Sequence, residues 1–284
     1  IFKGKKILIT GHTGFKGTWL TSIFDLIGAR ILGISKDYPN KFFDKNYFKN
    51  LDEKIFDLSN FNKTNRTLTN YNPDYIFHLA AQAIVSKSYT HPLETWNSNL
   101  ISFLNILESI RNTKKNITVI MITSDKCYLN IEKKGGYKEN ERMGGDENYS
   151  ASKASCEILF RSYFNSYFKG NKKIKIATAR AGNVIGGGDW SKNRLVPDII
   201  RSINNNKILN VRSLKSTRPW QHVLEPLSGY INLAINLNKN KKINGESFNF
   251  GPKTRNYTVE EVLYKFKFNY KNLNWKKINR EQSK

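Results

Sequence analysis

Three glycines separate the first apolar stretch of the chain from the first helix-like stretch, in the segment LITGHTGFKGTWL. Gly11 permits a tight turn, Gly14 lets the backbone approach a pyrophosphate group, and Gly17 allows the helix to pack closely on the strand. The N-terminus of that helix offers unpaired N–H groups and the positive end of its dipole to phosphates. Because the glycines follow a strand and open a helix, we predict a dinucleotide-binding turn rather than a purely structural one.

Strand-like and helix-like stretches alternate after this turn. Short apolar runs occur at 6–10, 30–35, 75–80, 118–123 and 174–179, and stretches with helical periodicity occur at 18–27, 95–110 and 150–168. Strands joined in this way need right-handed crossovers, so we predict an α/β fold with a Rossmann-type, doubly wound parallel sheet over residues 1–182. Residues 183–284, with Gly- and Pro-rich loops, are predicted to form a smaller substrate-binding region interleaved with that domain. We expect this region to be incomplete at its C-terminal end.

Composition narrows the class of protein. The chain has 284 residues and a net charge of +24. The lysines are scattered among Asn and Ile, and no zinc-finger, recognition-helix or RNA-binding pattern is present, so an anionic substrate explains the charge better than a nucleic acid does. No apolar run is long enough to span a membrane, and no signal peptide is recognised, which favours the cytoplasm. We interpret the two cysteines, Cys127 and Cys156, as structural residues.

An acid and a base are adjacent where a buried strand ends, in ITSDKCY. Asp125 and Lys126 are either a solvated strand end with a chance ion pair or a catalytic pair. Tyr149 and Lys153 lie one helical turn apart in NYSASKASCE. An ammonium near a phenol favours the phenolate and lowers the tyrosine pKa from its usual value of about 10, which makes Tyr149 usable as a base.

The residues after the second strand leave the choice of dinucleotide open. Lys36 could meet the 2′-phosphate of NADP, and Asp37 could accept hydrogen bonds from an NAD ribose. Asp57, in FDLSN after the third strand, is a predicted partner for the adenine amino group.

Together these segments resemble the extended short-chain dehydrogenase/reductase family, also called the NAD-dependent epimerase/dehydratase family. Within it the sequence is most similar to the CDP-glucose 4,6-dehydratases. The similarity rests on TGHTGFKGTWL, HLAAQ, TSDKCY, GGDENYSASKASCE, ARAGNVIGGGDW and RPWQHVLEPLSGY. Thymidine-sugar dehydratases typically have Asp-Glu where this chain has Asp125-Lys126. Ser102 is a small departure, since relatives often have Gly there.

The resemblance implies site residues by position. The implied catalytic residues are Ser124, Asp125, Lys126, Tyr149 and Lys153. The implied cofactor-binding residues are Gly11, His12, Thr13, Gly14, Phe15, Lys16, Gly17, Asp57, Leu58, Leu79, Ala80, Ala81, Asn99, Tyr149 and Lys153, with Asn99 also supporting the active-site helix. The implied substrate-binding residues are Asn183, Arg194, Arg212, Arg218 and His222. No metal is implied.

The resemblance also implies an activity. An enzyme of this kind uses NAD to convert CDP-D-glucose to CDP-4-dehydro-6-deoxy-D-glucose and water, a step toward the deoxy sugars of surface polysaccharides such as lipopolysaccharide O-antigen. The family further implies a homodimer, built through the helices near 95–110 and 150–168, or a higher homo-oligomer. A 4-epimerase, a dehydratase of another nucleotide sugar and a non-catalytic NAD-binding protein are the alternatives, because one fold serves several functions.

Overall fold

The structure, a computed structural model, describes residues 1–38, 43–133, 135–253 and 257–278. The chain divides into two compact units. The first unit joins Ile1–Ala181 to Val223–Phe250, and the second joins Gly182–His222 to the described part of Gly251–Lys284.

Helices and strands alternate through most of the described chain. The strands are β1 (Lys6–Thr10), β2 (Arg30–Ser35), β3 (Leu51–Ile55), β4 (Tyr75–His78), β5 (Ile117–Ile122), β6 (Ile174–Ala181), β7 (Val184–Ile185), β8 (Leu209–Val211), β9 (Thr217–Arg218), β10 (Gln221–His222), β11 (Ser247–Phe250), β12 (Tyr257–Thr258) and β13 (Trp275–Lys277). The helices are α1 (Phe15–Ile27), α2 (Phe61–Tyr71), α3 (Val85–Thr90), α4 (Pro92–Trp96), α5 (Ser102–Arg111), α6 (Asn148–Tyr163), α7 (Leu195–Asn204), α8 (Leu224–Lys239) and α9 (Val259–Asn269). Turns of π-helix join α4 to α5 (Asn97–Ile101) and extend α6 (Phe164–Phe168), and 3₁₀ turns lie at Lys45–Tyr47, Asp125–Cys127 and Lys241–Ile243.

A seven-stranded parallel sheet forms the centre of the first unit, in the order β11-β6-β5-β4-β1-β2-β3. Strands covered on both faces are apolar along their whole length, and every residue of β5 is buried. Strand order reverses between β1 and β4, so the switch point at which such sheets bind ligands lies at the carboxyl ends of these two strands. The predicted Rossmann-type fold is confirmed.

Two groups of helices pack beside this sheet. Helix α5 contacts both α2 and α6, while α8 contacts α1, β5 and β6. Buried side chains such as Phe103 of α5 and Phe160 of α6 belong to one core cluster with Val119 and Met121 of β5. The core therefore holds α6 against the strand whose end carries the adjacent acid and base.

The first unit also contains residues beyond the predicted boundary at 182. Strand β11 pairs in parallel with β6, with Phe248 opposite Ala179, and α8 also belongs to the first unit. The short, half-buried segment SFNF has no long apolar run, so its pattern did not predict a strand. The chain thus returns to the first sheet after residue 222.

The second unit has its own small core. Ile199 of α7, Leu263 of α9, and Leu209 and Val211 of β8 are buried together. The strands of this unit form three two-stranded sheets, β10-β7, β12-β9 and β13-β8. Over the described ranges of the whole chain, no helix has the length and apolar character needed to cross a membrane.

Candidate active site

The turn between β1 and α1 requires glycine at two of its three glycine positions. Gly11 has a positive φ of 73°, and a Cβ there would lie 2.8 Å from the backbone nitrogen of Ala80. A Cβ on Gly17 would lie 1.9 Å from the carbonyl oxygen of Gly11. A Cβ on Gly14 would be only slightly crowded, at 3.3 Å from the same oxygen. The turn therefore packs tightly on itself and on the end of β4, and α1 begins at Phe15 and Lys16.

His12 and Thr13 attach this turn to the neighbouring strands. The His12 ring is fully buried, with Nδ1 2.9 Å from Ser35 Oγ and Nε2 3.1 Å from a Glu53 carboxylate oxygen. Burial lowers the pKa of His12, although Glu53 opposes this shift. The Thr13 hydroxyl donates to the Asp37 carbonyl at 2.7 Å. The side chain of His12 thus serves the turn's own structure, a role that the sequence did not reveal.

Lys36 is already paired with carboxylates. Its ammonium lies 3.2 Å from Asp57 and 3.7 Å from Glu94. Burial raises the pKa of Asp57, but hydrogen bonds from Ser59 and Lys36 lower it by more, so this carboxyl titrates below its usual range. A 2′-phosphate next to Lys36 would also lie near these two anions. This arrangement favours NAD over NADP.

The segment after β4 joins the turn to the active-site helix. Leu79 and Ala80 donate their amides to the carbonyl and hydroxyl of Thr10, at 3.1 Å each. The following Ala81 is partly exposed. Leu58, another predicted cofactor contact, is buried, and its carbonyl accepts a hydrogen bond from Asn105 at 2.8 Å.

Asn99 connects the segment after β4 to α6. Its side chain accepts from the Gln82 amide at 2.8 Å and donates to Ser152 of α6 at 2.8 Å. It lies in the π-helical turn Asn97–Ile101, a distortion often found at functional sites. The structure therefore places Asn99 as a support of α6. Ser102, at the departure from the family pattern, is buried and donates to the Asn97 carbonyl within the same helical segment.

The start of α6 determines where Tyr149 and Lys153 lie. The Glu147 carboxylate accepts the Tyr149 amide at 2.6 Å and the Ser150 amide at 2.9 Å, which fixes the first helical turn. Tyr149 and Lys153 are 8% and 4% exposed. Burial lowers the pKa of Lys153 from the ordinary lysine value. In the part of the chain that the structure describes, no ion pair involves this ammonium.

Ser124, Asp125 and Lys126 lie at the carboxyl end of β5, beside α6. The Ser124 hydroxyl donates to Asp125 at 3.1 Å and accepts the Lys126 amide at 3.2 Å. Within the described residues, Asp125 and Lys126 form no ion pair with each other. The geometry thus disfavours the chance ion pair that their adjacency suggested. Cys127 is fully buried and burial raises the pKa of its thiol, in agreement with a structural role.

These features fit a bound dinucleotide. The glycine turn leaves room for a pyrophosphate at the start of α1, a carboxylate lies at Asp57, and a buried cation, Lys153, lies on the helix next to the strand ends. The buried cation is the most informative of these, because a charge in such a position needs a partner that a ligand can supply.

Three further residues of this region were not found by sequence reasoning. Glu157 and Arg180 form a buried ion pair with 2.7 Å between Oε2 and Nη2. Tyr230 of α8 is fully buried, and its hydroxyl has no hydrogen-bond partner among the described residues. Its ring lies 5.8 Å from the Lys16 ammonium, and burial, with smaller effects from Tyr149 and Asp125, raises its pKa. The sequence offered one signal for these three residues, because each is a charged or polar residue within an otherwise apolar helix or strand pattern.

The predicted substrate-binding residues all lie in the second unit. Arg194 precedes α7 and is held 3.0 Å from the Asp189 carboxylate. Arg218 and His222 are exposed on β9 and β10, and β10 pairs with β7. Arg212 is exposed after β8, and the Asn183 carbonyl accepts the Gln221 amide at 3.1 Å.

A mostly apolar cavity lies between β7, its following glycine loop and α7. It is lined by Val184, Ile185, Gly186, Gly187, Gly188, Asp189, Trp190, Val196, Pro197 and Ile200. Asp189 joins this cavity to Arg194. The pairing of β7 with β10 brings Asn183 next to Gln221 and His222, whereas Arg218 lies on β9, which pairs with β12.

Fold and site together define a nucleotide-binding enzyme of the Rossmann type, and the model of the NAD dependent epimerase/dehydratase family matches residues 7–251. The chain belongs to this family. It is 42% identical to the CDP-glucose 4,6-dehydratase of Salmonella typhimurium over 272 residues. This alignment covers 93% of this chain and 76% of that relative. It is also 25% identical to the CDP-paratose 2-epimerase of Salmonella typhi, over 96% of this chain and 87% of that protein.

Solved structures share the fold. The UDP-N-acetylglucosamine 4-epimerase of Methanobrevibacter ruminantium superposes with a TM-score of 0.83 at 23% identity, over 98% of this chain and 86% of the other. The dTDP-glucose 4,6-dehydratase of Bacillus anthracis, in complex with NAD, gives 0.78 at 19% identity, over 97% and 85%. The predicted family and its NAD cofactor are confirmed by the family match.

Proposed function

We propose that this chain is a CDP-glucose 4,6-dehydratase, which converts CDP-D-glucose to CDP-4-dehydro-6-deoxy-D-glucose and water. The observation that supports this most directly is the 42% identity to the Salmonella typhimurium enzyme over 93% of the chain. The adjacent acid and base at the end of β5, unpaired with each other, support an elimination rather than a simple epimerisation.

Tyr149 is the proposed base for the first step. Its hydroxyl takes the proton of the sugar C4 hydroxyl, while the positive charge of Lys153 stabilises the phenolate. Ser124 holds the C4 oxygen by donating to it the hydroxyl hydrogen that Asp125 accepts in the structure. NAD, when bound, supplies the oxidation at C4 and the later reduction at C6.

Asp125 and Lys126 are the proposed acid and base of the elimination. A ketone at C4 makes the C5 proton acidic, and loss of that proton expels the C6 hydroxyl once its oxygen is protonated. Lys126 removes the C5 proton and must be neutral to do so. Asp125 donates to the C6 oxygen and must be protonated. Because the two groups are adjacent, the acid and base roles can be exchanged in part between them.

The second unit is proposed to bind the nucleotide diphosphate. Arg194, Arg212 and Arg218 are cations with exposed or half-exposed side chains. His222 follows Arg218 by four residues and lies on β10, whose partner β7 begins directly after Asn183. Guanidinium groups bind phosphate oxygens through two parallel hydrogen bonds.

The substrate assignment is tested with the purified protein, NAD and four sugar nucleotides. We expect a 4-keto-6-deoxy product from CDP-glucose by NMR, with a higher kcat/KM than for dTDP-, UDP- or GDP-glucose. An equal constant for dTDP-glucose would contradict the nucleotide choice. An epimerised sugar with no loss of water would instead identify an epimerase.

We also propose a homodimer through the helices of the α6 side. Leu93 of α4 and Ile158 of α6 are 80% and 63% exposed although apolar. Exposed apolar side chains on adjacent helices are typical of an interface. Sedimentation should give a dimer for the natural chain and a monomer for Ile158→Glu. A monomeric natural chain would contradict this proposal.

A further inference from the structure

The Glu157 carboxylate is buried at a point where α6, β5, β6 and β11 meet. It accepts hydrogen bonds from the Thr123 hydroxyl, the Thr178 hydroxyl at 2.9 Å and the Ser247 hydroxyl at 3.1 Å, and it pairs with Arg180 at 2.7 Å. Glu157 and Arg180 are each 4% exposed. A buried ion pair is seldom a net gain in stability over apolar side chains of similar volume, so its presence calls for another explanation.

The two members of this pair contact opposite ends of one short segment. Glu157 accepts from Thr123, which directly precedes Ser124. Arg180 donates to the Tyr128 hydroxyl at 2.7 Å, and its guanidinium lies 5.1 Å from the centroid of the Tyr128 ring. The Tyr128 hydroxyl in turn donates to Asn249 of β11 at 2.7 Å.

Between these two ends lie the proposed elimination residues. Ser124, Asp125 and Lys126 form one short turn, whose internal hydrogen bonds run to Ser124 from the Lys126 and Cys127 amides. Glu157 is on α6, four residues after Lys153 and eight after Tyr149, so it lies on the helix face that bears the oxidation residues.

We propose that the Glu157–Arg180 pair is a positioning device, which fixes the segment 124–127 against the helix that bears Tyr149 and Lys153. The inference rests on the proposed function for its catalytic consequence. Two consecutive reactions at adjacent sugar carbons require the two groups of residues to keep a fixed separation, and misplacement by about 1 Å can cost ~10²-fold in rate.

Thr123→Val and Thr178→Val are matched variants for the test. Each replaces a buried threonine by an isosteric apolar residue and removes one hydrogen bond to Glu157. Thr178 also donates to the Ser247 hydroxyl at 2.8 Å. We therefore expect Thr178→Val to lower the urea midpoint of unfolding at least as much as Thr123→Val does. Only Thr123 adjoins the catalytic segment. Tyr128→Phe, which removes the hydroxyl at the other end, is the second test variant.

Amide hydrogen exchange tests the positioning without any activity. We expect faster exchange of the Lys126 and Cys127 amides in Thr123→Val and in Tyr128→Phe, and natural exchange in Thr178→Val. Equal exchange in all three variants and the natural protein would overturn the proposal.

Kinetics with CDP-glucose test the catalytic consequence. Thr123→Val and Tyr128→Phe should lower kcat by ~10–10²-fold with little change in KM, while Thr178→Val keeps the natural kcat. Equal losses of kcat in Thr123→Val and Thr178→Val would mean that the hydrogen bonds around Glu157 only stabilise the core, which would overturn the proposal. If the natural protein does not convert CDP-glucose, the proposed function fails, and the exchange result still decides whether the pair holds the segment.

Discussion

Lys153 is a cation in a position where water cannot solvate it. Burial lowers its pKa, and the negative charge of Glu157 on the same helix opposes that shift. Burial of an ammonium is unfavourable in free energy, so a buried lysine indicates a role in catalysis or in ligand binding. Tyr149, the proposed base, lies one turn before Lys153 on α6.

The Tyr149 hydroxyl tests the oxidation step. Tyr149→Phe removes the proton acceptor and leaves the ring in place, so turnover of CDP-glucose should fall by ~10²–10⁴-fold. Steady-state kinetics measure this fall. Tyr163→Phe is a matched control on the same helix, because its hydroxyl bonds Glu108 at 3.1 Å at a partly exposed position. Near-natural turnover of Tyr149→Phe would contradict its role as base.

Lys126 tests the elimination step separately. With CDP-glucose, Lys126→Ala should still reduce bound NAD, seen as nicotinamide absorbance, and then stall before water is lost. The reason is that oxidation at C4 needs Tyr149 and Lys153, while loss of the C5 proton needs a base beside it. Lys172→Ala, at an exposed position, is the control. Water loss at the natural rate in Lys126→Ala would show that Lys126 is a solvated residue at a strand end and not the catalytic base.

At the scale of the element, the β1–α1 turn shows how local sequence and long-range packing combine. The glycines define the turn, yet its position also depends on Ser35 and Glu53, which bond the buried His12 ring. The three glycines were enough to predict the turn from the sequence, because the turn is a local feature of the backbone. The sequence could not predict the His12 contacts, because they join residues 23 and 41 positions apart.

Gly17 gives a direct test of this element. In Gly17→Ala the new Cβ would meet the Gly11 carbonyl oxygen, so the turn must move. Overpacking of this kind costs ~1–3 kcal/mol, and an equal loss of binding energy weakens NAD affinity by ~10–10²-fold. Titration with NAD measures the change. Gly136→Ala, which meets no atom within 4 Å, should bind NAD normally. Natural affinity in Gly17→Ala would show that the turn does not bind the cofactor.

For the whole molecule, five apolar runs predicted strands β1, β2, β4, β5 and β6, and the ends of these runs agree with the structure to within two residues. The edge strands were harder to predict. Strand β3, LDEKI, contains three charged residues, and β11, SFNF, is half-buried, so neither has the continuous apolar pattern of a central strand. The Glu157 network was not predicted either, since Ser247 lies 90 residues from Glu157.

Stability should depend on pH through His78, which is buried at the switch point with Nδ1 2.8 Å from Thr10 Oγ1. Burial, with a smaller effect of Lys153, lowers the pKa of His78 to about 3. An unfolded histidine titrates near 6.5, so as the pH falls below that value the unfolded state binds a proton that the folded state refuses. The free energy of unfolding should therefore fall toward pH 3, by ~1.4 kcal/mol per pH unit from this residue.

Urea unfolding at pH 7 and pH 5 measures this dependence. His78→Gln should show a weaker fall in unfolding free energy between these two values than the natural protein. His91→Gln, at an exposed position, should show the natural fall. An unchanged pH dependence in His78→Gln would mean that other groups, such as the buried His12, account for it.

The reaction with CDP-glucose in D₂O tests most directly whether one site oxidises C4 and then eliminates water across C5 and C6. We expect a 4-keto-6-deoxy product in which NMR finds solvent deuterium at C5, because the base removes that proton and solvent exchanges with it before it returns. A product that retains its C6 hydroxyl, or a deoxy product with only protium at C5, would contradict this mechanism.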